Sequence, residues 1–185
     1  MAAGGGPLHG GFFVMRKYVL AILAAFAALI SVAVPSSAAP VQAQDLKILH
    51  SFGYKHLLLG MKPAQAEATG LLTDKDTSGG QGWAFYQFVA SEGDRGPNTW
   101  VAAHETCGVQ MIIATYAMKT PRGIGVGSSR ADLVRAYPSA HADPTGKYDV
   151  LVDAPLNPGF QYAFVIDYDT DEVTWMSLEK KGGFC

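Results

Sequence analysis

Three groups of residues in this chain have types and spacings that chemistry could use. The first is the segment TPRGIGVGSSRADLVRAYP at 120–138, which sets glycines and serines before a helix-like run. Free backbone N–H groups at such a joint can hold a phosphate. A nucleotide triphosphate loop needs G-x-x-x-x-G-K-[ST] with its lysine on the phosphates, and GIGVGSSR has no lysine in place. The dinucleotide fingerprint G-x-G-x-x-G fails at its third glycine. The segment therefore reads as a turn feeding a helix, and no cofactor is expected.

The second group is DYDTDE, where Asp167, Asp169 and Asp171 have the spacing of the first three ligands of a calcium loop. Such a loop then needs a glycine and, at its twelfth position, a bidentate glutamate. Glu172 and Leu178 stand there instead, so a solvated hairpin turn is expected. The third group is His104 and Cys107, an H-x-x-C pair with no second pair at zinc-ligand spacing. His50, His56 and His141 are scattered, and G-x-S-x-G is absent. No catalytic, cofactor-binding or metal residue is assigned.

The N-terminus reads as an address. Arg16 and Lys17 follow Met15, an apolar stretch runs to Val34, and small residues follow Pro35, the pattern of an export signal over residues 1–43 with its true start at Met15. Cleavage after Ala39 or Ala43 fits; the second leaves a polar start at Gln44. An uncleaved anchor is the alternative. No cysteine precedes Cys107, which excludes a lipid attachment at the cleavage site. Export places Cys107 and Cys185, the two cysteines of the chain, in an oxidising compartment, where a disulfide between them is expected.

Charge excludes two partner classes. Arg16 and Lys17 belong to the leader, so from Asp45 onward twelve basic residues face sixteen acidic ones, without basic clusters. Nucleic acid needs concentrated Lys and Arg, and an anionic membrane surface needs a polybasic segment. Neither partner is expected after signal cleavage.

Two segments resemble one another: LLLGMKPAQAEATG at 57–70 and IGVGSSRADLVRAY at 124–137. Each reads as a short strand, a turn glycine (Gly60, Gly127) and a helix. Ser129 has the type and place of an N-cap, with Asp132 three residues on, and Leu133, Ala136 and Tyr137 share one face. Strand-like runs follow each helix: 83–91, 99–105 and 108–116, then 147–153, 160–168 and 172–179. The expected fold class is α+β, two tandem helix-plus-antiparallel-sheet repeats at 44–119 and 120–185.

These motifs resemble a group of small secreted or lipid-anchored actinobacterial proteins. The resemblance is carried by Leu57, Leu59, Gly60, Met61, Ala64, Ala66 and Gly70, then by Thr120, Gly123, Ile124, Val126, Gly127, Ser128, Arg130, Ala131, Leu133 and Tyr137. It covers nearly all of the mature chain and implies no function. More distantly, the tandem layout is similar to the β-lactamase inhibitor protein fold and to small outer-membrane assembly lipoproteins. The inhibitor's cysteine pair within each repeat is missing here.

Aromatic residues are the remaining signal. Trp83, Phe85, Tyr86 and Phe88 form a candidate binding surface, but alternation on a strand sets Trp83 and Phe85 opposite to Tyr86 and Phe88. A sheet covered on one face leaves aromatic side chains on the other, where apolar patches mark partner sites. The expected role is non-enzymatic binding of a protein or envelope component through a sheet face. The alternatives are a small envelope hydrolase with its site between the repeats and a carrier of a small apolar ligand.

Overall fold

Aromatic and β-branched residues alternate along much of this chain, and strands form where they do. The computed structural model describes residues 47–185 apart from residue 97; the expected leader and its cleavage sites lie outside the described residues. Leu49–His50 (β1), Gly53–Tyr54 (β2) and Leu57–Leu58 (β3) form a small antiparallel sheet. After helix α1 (Pro63–Glu67) comes a meander of β4 (Leu72–Asp76), β5 (Trp83–Phe88), β6 (Val101–His104) and β7 (Gly108–Ile113). The second half adds helix α2 (Arg130–Ala136), β8 (Val150–Asp153), β9 (Phe160–Ile166) and β10 (Val173–Lys180). Strands β4 to β10 make one antiparallel sheet in the order β4-β5-β6-β7-β10-β9-β8.

This arrangement corrects the expected fold class. The protein is mostly β, two antiparallel sheets of three and seven strands, and not a pair of α+β repeats. The helices have five and seven residues and bury one side chain each, Ala66 and Leu133. No strand precedes α2 as β3 precedes α1: residues 124–127 run through a turn. Leu72–Asp76, too polar to announce itself, is the edge strand that the sequence reading passed over. The two halves merge because β10 pairs with β7, with Ile113 opposite Ser177 and Met111 opposite Glu179.

One face of the large sheet carries the main core. Tyr86 and Phe88 of β5, Ile112 of β7, Tyr162 and Phe164 of β9 and Met176 of β10 are fully buried there. The small sheet and both helices cover them through Leu49, Tyr54, Leu57 and Leu133. Each such apolar side chain contributes roughly 1.5–3 kcal/mol relative to exposure. Gly60 and Gly127 have φ of +82° and +81°, and nothing stands within 4 Å of where a Cβ would lie at either. The backbone angle demands glycine, whereas space does not.

Glu92 ties the small sheet to the loop after β5. Its carboxylate accepts hydrogen bonds from the Tyr54 hydroxyl and, at 2.9 Å, from Lys55 Nζ, while its carbonyl accepts from Thr115 Oγ1 at 2.9 Å. Burial opposes its ionisation, but the bonds from Tyr54 and Lys55 and the charges of Lys55 and Lys47 outweigh burial, and its pKa is lowered.

A depressed carboxyl pKa stabilises the fold above the unfolded value, and that stability is lost as pH falls through the folded value. Glu92→Gln is expected to cost about 1.5–3 kcal/mol at pH 7. It should also weaken the loss of stability below about pH 4.3, the unfolded carboxyl value, as read by urea unfolding across pH. Gly127→Val, which forces a β-branched residue to positive φ, is expected to cost about 1–3 kcal/mol, read as a lowered Tm. An unchanged Tm would remove the conformational argument.

Candidate functional site

Among the described residues, α1 and α2 pack into the core on the first face of the large sheet, and no helix lies over the second. Its side chains come from the alternate positions of the same strands: Trp83 and Phe85 on β5, Ala102 on β6, Met111 and Ile113 on β7, Trp175 on β10. Ala102, Met111 and Ile113 form a buried floor, and the larger rings rise half-buried around it. Trp83 and Phe85 stack with centroids 6.2 Å apart, and Phe85 meets Trp100 edge-on at 5.3 Å.

Trp100 precedes β6 and is fixed there by its carbonyl, which accepts from Ile113 N at 2.9 Å. Between Trp100 and Trp175 lies a groove of about 650 Å³ floored by Met111, Ile113 and Val165. Tyr116 and Asn98 stand at its rim on one side, Tyr148 and Lys147 on the other.

Two irregular segments supply walls. In the first, Asp143 accepts hydrogen bonds from Thr145 N at 2.8 Å and Tyr148 N at 3.0 Å, which curls residues 143–148 over the sheet. The bond from Thr145 N, ahead of burial and the other donors, sets the direction, and the Asp143 pKa is lowered. Tyr148 then stacks on Trp175 with centroids 5.3 Å apart and planes 13° from parallel. Its hydroxyl donates to Glu179 Oε2 at 2.7 Å. Burial, and then the neighbouring Glu179 carboxylate, push the Tyr148 phenol far up, so it stays a proton donor. Lys147 Nζ lies 4.6 Å from the Tyr148 ring centroid, within cation–π range.

The second wall is the C-terminal tail. Cys185 forms a disulfide with Cys107, with Cα atoms 6.5 Å apart. That bond brings Phe184 against Trp83, edge-on at 5.5 Å. No hydrogen bond to residues 182–185 exists among the described residues. The disulfide and ring contacts hold this wall.

The residues singled out from the sequence separate accordingly. Trp83 and Phe85 lie on the open face. Tyr86 and Phe88 are core, and the Tyr86 hydroxyl donates to Glu67 Oε1 at 2.7 Å. Ser129 caps α2 by accepting from Asp132 N at 3.1 Å, and Gly60 and Gly127 shape turns at positive φ, with Val126 beside Gly127 lining the groove.

Asp167 accepts from Asp169 N and Thr170 N at 2.9 Å, and Asp171 pairs with Arg130 at 2.7 Å, which closes the β9–β10 turn. His104 lies with Cys107 and Cys185 within 4.8 Å, but both sulfurs are in the disulfide. Its Nδ1 accepts from Thr106 N at 3.1 Å, and Nε2 lies 2.8 Å from the Gln81 carbonyl. Where the two halves meet, β7 pairs directly with β10, and the groove straddles that junction, lined by Met111 and Ile113 from one half and Val165 and Trp175 from the other.

Tyr148, Lys147 and Phe184 were missed by the sequence reading. Trp100 and Trp175 were visible as aromatics, but only the register of β6, β7 and β10 sets them on one face.

Removing the disulfide by Cys107→Ser/Cys185→Ser opens a link of sequence separation 78. The expected loss is roughly 2–4 kcal/mol, measured by urea unfolding; equal stability would show that the tail bears no load. Comparison with models of protein families, with curated proteins and with solved structures finds no match for the chain.

Proposed function

We propose that this chain is an exported, non-catalytic binding protein that receives a protein or envelope component on the open face of its large sheet. The observation that carries this is the half-buried aromatic set, Trp83, Phe85, Trp100 and Trp175, around an apolar floor on a face that no helix of the described residues covers. Large rings left half-wet cost the free protein apolar burial, which a partner restores.

The carboxylate beside the groove is used structurally, and this supports binding over catalysis. Glu179 accepts from Tyr148 and, at 3.3 Å, from Gln161 Nε2. Export rests on the leader-like residues 1–43 and is compatible with the Cys107–Cys185 disulfide. No helix among the described residues is long and apolar enough to cross a membrane.

The test is retention of envelope components on immobilised protein, comparing wild type with Trp100→Ala/Trp175→Ala. The expected result is a component held by the wild type and lost at least tenfold by the variant at unchanged Tm. Equal retention by both would overturn the assignment of binding to this face.

A further inference from the structure

Donors without a partner predominate in the groove's hydrogen-bonding chemistry. Among the described residues neither Trp100 nor Trp175 has an acceptor for its indole N–H, and neither nitrogen is sealed from solvent. The Tyr116 hydroxyl at the rim is likewise unpartnered. Lys147 adds further donors; among the described residues no carboxylate lines the groove, and its side-chain acceptors are the Asn98 amide oxygen and the hydroxyls of Thr99 and Thr174, which themselves donate to the Ala114 and Val165 carbonyls. Indole offers a donor and no acceptor, and lysine the same. A ligand that suits this lining has flat apolar surfaces and many acceptors but few donors.

Proline-rich chain has that description. Each proline keeps its carbonyl and lacks an N–H, and the polyproline II helix leaves its carbonyls unbonded and presents apolar rings. Sugars donate as well as accept, and their hydroxyl protons call for the carboxylates that this lining lacks. Dimensions agree as well. Trp100 borders Ile113, Ile113 pairs with Ser177, and Trp175 lies two residues along β10, so the two indoles are separated by two strand spacings. With the two-residue offset along β10 that is roughly 12 Å, the span of about four polyproline residues at about 3.1 Å each.

Charge gives the partner a flank. Trp100 and Phe85 also wall a second cavity of about 340 Å³, whose other side carries Asp74 and Asp76. Asp74 already holds a guanidinium, Arg95 Nη1 at 3.1 Å. Asp76, an exposed carboxylate, accepts from Ser78 N through Oδ1 at 2.7 Å. A basic side chain placed there stacks on an indole and faces a carboxylate, an arrangement that favours arginine.

We infer that the occupant of the groove is an extended proline-rich segment of another protein, laid across Trp100 and Trp175 with a basic residue against Asp74 and Asp76. This assignment rests on the binding-face reading above and names its partner class. A preformed polyproline helix loses little entropy on binding, which is how aromatic grooves hold such segments without deep burial.

The test titrates the disulfide-bonded protein, by tryptophan fluorescence and calorimetry, with a peptide of eight consecutive prolines bearing an arginine at each end. Comparison peptides replace the prolines by glycine and serine, or the arginines by glutamate; a chitin oligosaccharide is the carbohydrate arm. The proline peptide is expected to bind at least tenfold more tightly than the glycine–serine peptide and at least threefold more tightly than the glutamate-flanked one. Asp74→Asn/Asp76→Asn should abolish the second preference.

Tyr116→Ala, at a half-exposed ring, should weaken the proline peptide at least threefold at unchanged Tm, which keeps the test valid if the tryptophan variants unfold. Equal affinity for the glycine–serine peptide, or binding of the oligosaccharide alone, overturns the inference. Oligosaccharide binding that perturbs the same indoles would leave the binding face standing, whereas equal envelope retention by the Trp100→Ala/Trp175→Ala variant removes that face itself.

Discussion

The pairing of β7 with β10 is the constraint on which the rest of this structure depends. Two meanders, one from each half of the chain, could each have closed on themselves. Instead the last strand of the first accepts the last strand of the second, with Ile112 opposite Leu178 and Met111 opposite Glu179. Register on a pleated sheet has a period of two, so this pairing decides the face of every residue on both sides. It puts Ile112 and Leu178 under the helices, and Met111, Ile113 and Trp175 on the opposite side. A slip of one residue would send Trp175 into the core and expose Met176. The central position of β7 also explains its composition: with the core on one face and the aromatic rings around its residues on the other, it is buried at every residue from Gly108 to Ile113.

The two faces treat their polar aromatic atoms differently. In the core, the hydroxyls of Tyr54, Tyr86 and Tyr162 each donate to a protein oxygen, those of Glu92, Glu67 and Leu49. A buried hydroxyl without a partner carries a desolvation cost of about 1–3 kcal/mol, so the core must supply one. On the open face the indoles of Trp100 and Trp175 have no such acceptor. Their nitrogens reach water, which removes the cost and leaves them available. The same type of atom is thus spent on folding on one side and left to solvent on the other.

How much of this was legible in the sequence follows from which interactions are local. Alternation in WAFYQF predicted that Trp83 and Phe85 would part from Tyr86 and Phe88, because side-chain direction on a strand depends on neighbours alone. The Ser129 cap with Asp132, the turn glycines and the cysteine pair were legible for the same reason or by count. The fold class was not. Two segments of similar pattern, 57–70 and 124–137, suggested duplicated units, but a turn glycine before a short helix is a local device that recurs without duplication. The merging of the halves into one sheet is a long-range pairing that no window of sequence contains. The polar edge strand Leu72–Asp76 escaped for a further reason: it is held by β5 along one side and has no apolar alternation of its own.

The groove's walls were the least legible part, since they come from segments without periodicity. Residues 143–148 are curled by a single carboxylate, Asp143, and the tail by a single bond, Cys107–Cys185. Neither tether contributes to the core. Each instead sets one ring, Tyr148 on Trp175 and Phe184 on Trp83, at opposite parts of the aromatic face. A sheet alone gives a flat, twisted surface; the ring-bearing loops turn it into a groove with a direction. The floor is therefore fixed by the global fold, while the shape of the groove is fixed by two local attachments. That shape can change by altering Asp143 or the tail without disturbing the β7–β10 register that brings the tryptophans together.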